Sequence, residues 1–77
     1  MMSWDDNGFS LRDGERVGRF VVVRDIDGHV HALAAGAVVA VCEMDDGALL
    51  MLPAGRMVHV PRPLVTVLRW LDIGGSR

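Results

Sequence analysis

The sequence predicts a mainly β domain: a small five-stranded antiparallel sheet or barrel with one C-terminal α-helix. Three features predict it. Gly28, Gly36, Gly47 and Gly55 are spaced by eight, eleven and eight residues, the beat of short strands joined by tight turns. Runs of Val, Leu, Ala and Met fill the gaps between them. Pro61-Arg62-Pro63 then breaks the pattern, and an apolar segment with helical spacing follows.

Taken in order, residues 1–10 are polar and weakly patterned, and are expected to form a flexible arm. Residues 11–77 are expected to form one small domain. Asp13-Gly14 marks a turn, and residues 16–24, centred on Phe20-Val21-Val22-Val23, read as the first strand. Asp25-Ile26-Asp27-Gly28 is a hairpin turn, with Gly28 placed for a positive φ. The second strand covers residues 29–33 and the third residues 37–43, joined by Ala34-Ala35-Gly36. Ala favours helix here, but Gly36 interrupts the segment and Val38, Val39 and Val41 are β-branched, which favours strand. Asp45-Asp46-Gly47 turns into a strand over residues 48–52, and Pro53-Ala54-Gly55 into one over residues 56–60. Proline cannot donate to a ladder, so Pro61-Arg62-Pro63 ends the sheet, and Pro63 suits the start of a helix over residues 64–73. Gly74-Gly75 stops it.

The apolar residues exceed what one small domain needs. Residues 20–23, 38–42 and 49–52 do not alternate, so both faces of those strands require cover. In residues 29–33 and 56–60 polar and apolar positions alternate, as in half-exposed strands. Along the helix Thr66, Arg69 and Asp72 form one narrow polar stripe, and the rest is apolar. Leu64, Val65, Leu68 and Leu71 make the expected sheet-facing seam. Val67 and Trp70 then lie beside the stripe with Arg69, where a partner could reach them. Trp4, in the acidic arm, is either a lid on the domain or an anchor for a partner.

Composition narrows the function. Every basic residue is Arg, and the formal net charge is −2. Arg forms bidentate contacts suited to interfaces, so Arg19, Arg24 and Arg62 join Trp4, Val67, Arg69 and Trp70 as candidate interaction residues. A slightly acidic chain with four aromatic residues and no Tyr is a poor non-specific nucleic-acid binder. Cys42 is the single cysteine, which precludes an internal disulfide and fits a reducing compartment, and it reads as a small core residue. No apolar stretch approaches the roughly 20 residues that cross a bilayer, so no membrane role and a cytoplasmic location are expected.

His29, His31 and His59 could in principle converge on a zinc ion, but they read better as solvated surface histidines. Asp25-Ile26-Asp27-Gly28 lacks the later ligands of a calcium loop. No nucleophile–base pattern or phosphate-cradling glycine loop is present, and no catalytic, cofactor or metal site is assigned. The layout over residues 20–71 resembles that of the small flagellar FlbD/SwrD-like proteins, in element order alone. In size and style the chain also resembles phage-encoded inhibitors of host defence, anti-CRISPR proteins among them. The expected function is a non-catalytic interaction module that self-associates as a homodimer or docks on a larger protein assembly, for instance as a small inhibitor. The alternative is a small-barrel nucleic-acid-binding regulator using Arg16, Arg19, Arg24, Arg56 and Arg62.

Overall fold

The computed structural model describes residues 11–72. The expected arm over residues 1–10, with Trp4, lies outside them, as does Ile73 at the end of the expected helix. Six strands form two three-stranded antiparallel sheets, followed by one helix, where five strands in one sheet or barrel were expected. The first sheet holds β1 (Arg16–Val17), β2 (Phe20–Arg24) and β3 (Val30–Ala34). The second holds β4 (Ala40–Met44), β5 (Gly47–Met51) and β6 (Met57–Val60), and α1 spans Leu64–Trp70. The extra strand arises because Gly18-Arg19 makes a tight turn inside the segment read as one strand, pairing Val17 with Phe20. The barrel is not closed: β3 and β4 are joined by a 3-10 turn over Ala35–Ala37 instead of pairing.

Backbone register assigns the two faces of each sheet, because directly opposed residues share a face. In the first sheet Val21 pairs with Leu33 and Val23 with His31, facing inward, while Val22 with Ala32 and Phe20 with Ala34 face outward. In the second, Val41, Leu50 and Val58 share the inner face, and Ala48 opposes Val60 there. One core results, built from Val21, Val23, Ala35, Ala48, Leu50, Val58, Val60 and Val67. Every buried residue described is apolar. β2 is covered on both faces, as its unbroken Val run requires, but β4 is a largely exposed edge strand. Cys42 is therefore exposed, not a core residue.

The helix is rotated from the expected seam. Val67 is fully buried and Trp70 half-buried against the core, while Val65 and Leu68 stand 56% and 50% exposed. Gly14 explains the rotation. It has φ +89°, and any Cβ there would collide with the indole of Trp70, so only glycine lets the ring lie on this turn. Arg16 then donates through one guanidinium nitrogen to the carbonyls of Trp70 (2.9 Å) and Asp72 (3.2 Å), capping the helix C-terminus. Asp13 completes the joint. Its carboxylate accepts the Arg24 backbone N–H from the first sheet (3.0 Å) and Arg62 Nε from the segment after β6 (2.9 Å). Gly47 is the second obligatory glycine, with φ +148° and a Cβ position that would strike the Val60 carbonyl.

The rotation makes a direct prediction. Val67→Ala is expected to cost about 2 kcal/mol in urea unfolding, whereas Leu68→Ala should change stability by less than about 0.5 kcal/mol. Gly14→Ala, which combines collision with a positive φ, should cost about 2–4 kcal/mol. The reverse order for Val67 and Leu68 would restore the seam expected from sequence.

Candidate functional site

The ionisable side chains do not converge on one pocket; several of them organise turns. Asp25 is the clearest case. Its Oδ1 accepts the backbone N–H groups of Asp27 and His29, both at 2.9 Å, and its Oδ2 accepts His31 Nε2–H at 2.8 Å. This carboxylate pins the β2–β3 turn and turns His31 inward, so the polar residue of that strand, and not Val30, occupies the inner face. The hydrogen bond from His31, with those from His29 and Asp27, holds the Asp25 pKa at about 2, below its usual 3.8 and against the opposing effect of desolvation. His59 Nε2 meets Asp46 Oδ1 at 2.9 Å, tying the β4–β5 turn to β6. His31 and His59 thus engage two different aspartates and are not simply solvated, whereas the His29 ring stands in solvent as expected. Asp25, Asp27 and His29 place ligand atoms within 4.8 Å of one another, but both Asp25 oxygens are already engaged in shaping the turn.

The candidate interaction residues are dispersed. Val67 is in the core and Trp70 lies over Gly14, so neither forms the outer face expected of them. Arg69 is exposed on α1, Arg24 donates to the Gly28 carbonyl (3.2 Å), and Arg62 is held by Asp13. Arg19 sits over the Phe20 ring, 5.3 Å from its centroid.

Two surfaces remain. The first is the outer face of the second sheet, where Cys42, Met44, Leu49, Met51, Met57 and His59 stand together by register. All four sulfur-bearing residues of the described chain lie there. Met57 is 57% exposed and the Cys42 thiol points at Met51 Sδ, 3.9 Å away. Among the described residues no strand position on that face is Asp, Glu or Arg, and the one carboxylate at its border is that of Asp46, held by His59. Residues 38–42 and 49–52 are apolar on both faces in the sequence, but which face stays bare is set by register, and Cys42 reads there as a core residue.

The second surface runs along the end of the first sheet and the Ala35–Ala37 turn and opens toward the second sheet at Leu52–Arg56. Two adjoining hollows of about 550 and 350 Å³ share Ala34 and Ala37. Arg16 and Arg19 flank one end, Leu52, Pro53 and Ala54 form the far wall, and Arg56 stands beside them. No described helix is long and apolar enough to cross a membrane. No family model matches the chain, and no curated protein or solved structure is significantly similar to it.

The Asp25 turn carries a pH signature. Its folded pKa lies below the unfolded value, so its stabilisation is present above about pH 4 and is lost as pH falls toward 2. Carboxyl NMR should find the Asp25 midpoint near 2, rising toward 3.8 in His31→Ala. Asp25→Asn should remove this part of the acid sensitivity. A wild-type midpoint at 3.8 would contradict the turn geometry.

Proposed function

We propose that this chain is a non-catalytic protein-interaction module that self-associates through the outer face of its second sheet. The observation that supports it is the apolar surface of Cys42, Met44, Leu49, Met51 and Met57, bordered by the His59–Asp46 pair, held on a regular sheet and left uncovered by α1. Contiguous exposed apolar faces of this kind mark interaction sites on soluble domains. Methionine suits them because its unbranched, polarisable thioether adapts to the opposing surface. Met is also enriched, and charge depleted, at interface cores. Docking on a larger assembly, including occlusion of a target surface as a small inhibitor would do, uses the same face with a different occupant.

The nucleic-acid alternative draws less support. Arg16, Arg24 and Arg62 are engaged with carbonyls and a carboxylate of their own chain. Few guanidinium groups are then left to neutralise phosphates, and Phe20 already lies beneath Arg19.

Sedimentation velocity at increasing protein concentration tests self-association. The wild type should move toward a dimer, and Met57→Glu should stay monomeric with unchanged circular dichroism and melting. A charge on an exposed, edge-strand position disturbs association without touching the core. A wild type that remains monomeric into the high micromolar range would overturn the homodimer.

A further inference from the structure

The opening between the sheets is a consequence of hydrogen-bond register. Asp25 N–H donates to the His29 carbonyl and Ala35 N–H to the Arg19 carbonyl, so the hydrogen-bonded pairs of β2 and β3 fall on odd-numbered residues. Val30, Ala32 and Ala34 consequently turn their N–H and C=O groups to the other edge of β3, which no described strand pairs and which is called its free edge below. Leu52 N–H donates to the Arg56 carbonyl, which by the same alternation turns Met57 and His59 to the free edge of β6. The two edges are tied at one end, where Ile26 N–H donates to the His59 carbonyl at 2.9 Å. At the other they part around the hollows described above.

We propose that this opening binds an extended acidic peptide segment of a partner protein, which adds as a strand to the free edge of β3. Main-chain hydrogen bonds to a sheet edge give such complexes their affinity, and pockets for alternate side chains give selectivity. Here the wall offers Ala32, Ala34 and Ala37, whose small side chains admit an incoming backbone. Charge selects the occupant: Arg16 is held by carbonyls of its own chain, which leaves Arg19 in one hollow and Arg56 in the other, and no Asp or Glu lines either. An occupant carrying carboxylates on either side of a short apolar run matches that lining. This surface is separate from the sulfur-bearing face, so the proposal rests on interaction as the chain's role but not on its self-association.

The probe is a blocked, fluorescein-labelled peptide of alternating valine and alanine with aspartates at both ends. Its controls are a lysine-ended version and one with a central proline. Anisotropy titration of the full chain should show binding of the aspartate peptide alone, weakening as salt rises. Arg19→Glu combined with Arg56→Glu should weaken it roughly tenfold or more. Ala32→Pro is the sharper variant. Its ring removes an N–H that faces the free edge and not β2, so the domain should keep its melting temperature while binding disappears. Amide NMR shifts on binding should centre on Ala32 and Ala34. Equal binding of the lysine peptide, undiminished binding by Ala32→Pro, or no binding of the aspartate peptide would each overturn the proposal. So would loss of wild-type self-association in Ala32→Pro, which would make a second copy the occupant. Monomeric Met57→Glu that still binds the peptide would separate this site from the sulfur-bearing face.

Discussion

The joint at Asp13-Gly14 holds the molecule together. Two hairpin-built sheets have no ladder between them, so their alignment rests on the shared core and on whatever bridges their ends. Asp13 bridges backbone on one sheet to a side chain just beyond the other, and Gly14 seats the indole of Trp70. Arg16, two residues on, closes the helix carbonyls. Three consecutive functions, a charge bridge, a contact surface and a helix cap, thus come from a four-residue stretch of which Asp13 and Gly14 are partly buried and Glu15 and Arg16 exposed. Loss of the contact surface would free α1 to rotate, and the burial of Val67 depends on that rotation.

Much of the fold was legible because turn chemistry is local. The Asp25, Asp45 and Pro53 turns fall where the sequence puts them, and the helix begins directly after Pro63. The misreadings share one cause: they concern which face or edge meets which neighbour. Gly18 sits among strand-forming residues, where one glycine marks a bulge as readily as a turn. In α1 nearly the whole circumference is apolar, so its pattern does not favour one seam, and the choice is made by a glycine fifty-six positions away. His31 faces inward because Asp25 supplies a partner for its ring, a relation that alternation of polar and apolar residues does not encode. Cys42 is apolar in character and strand-like in context, yet β4 is an edge, and edges are decided by topology.

The candidate surfaces were less legible for the same reason. Residue-type searches look for converging acids, bases and ligands, and here Asp13, Asp25, Asp46, Arg16, Arg62 and the paired histidines serve architecture. What the fold leaves outward is of another kind: a methionine-rich sheet face and a row of backbone groups beside small side chains. Neither has a sequence motif. Each exists only once register is known, because a one-residue slip would exchange the inner and outer sets of every strand.

The Gly14–Trp70 contact also bears on how the chain is made. Both sheets are built from neighbouring hairpins, which form quickly from local contacts as a polypeptide emerges. The contact that joins them links the opening turn to the helix, and it cannot exist until residues 64–70 have been synthesised and released. Until then the two sheets meet without Val67 in their shared core, aligned only by their own valines and leucines, the Ile26–His59 hydrogen bond and the Asp13–Arg62 pair. Such a species is vulnerable to pairing through its bare edges with other nascent chains. The exposure of those edges in the finished fold is therefore small beside their exposure during translation, when the interval before helix docking sets the risk of misassembly.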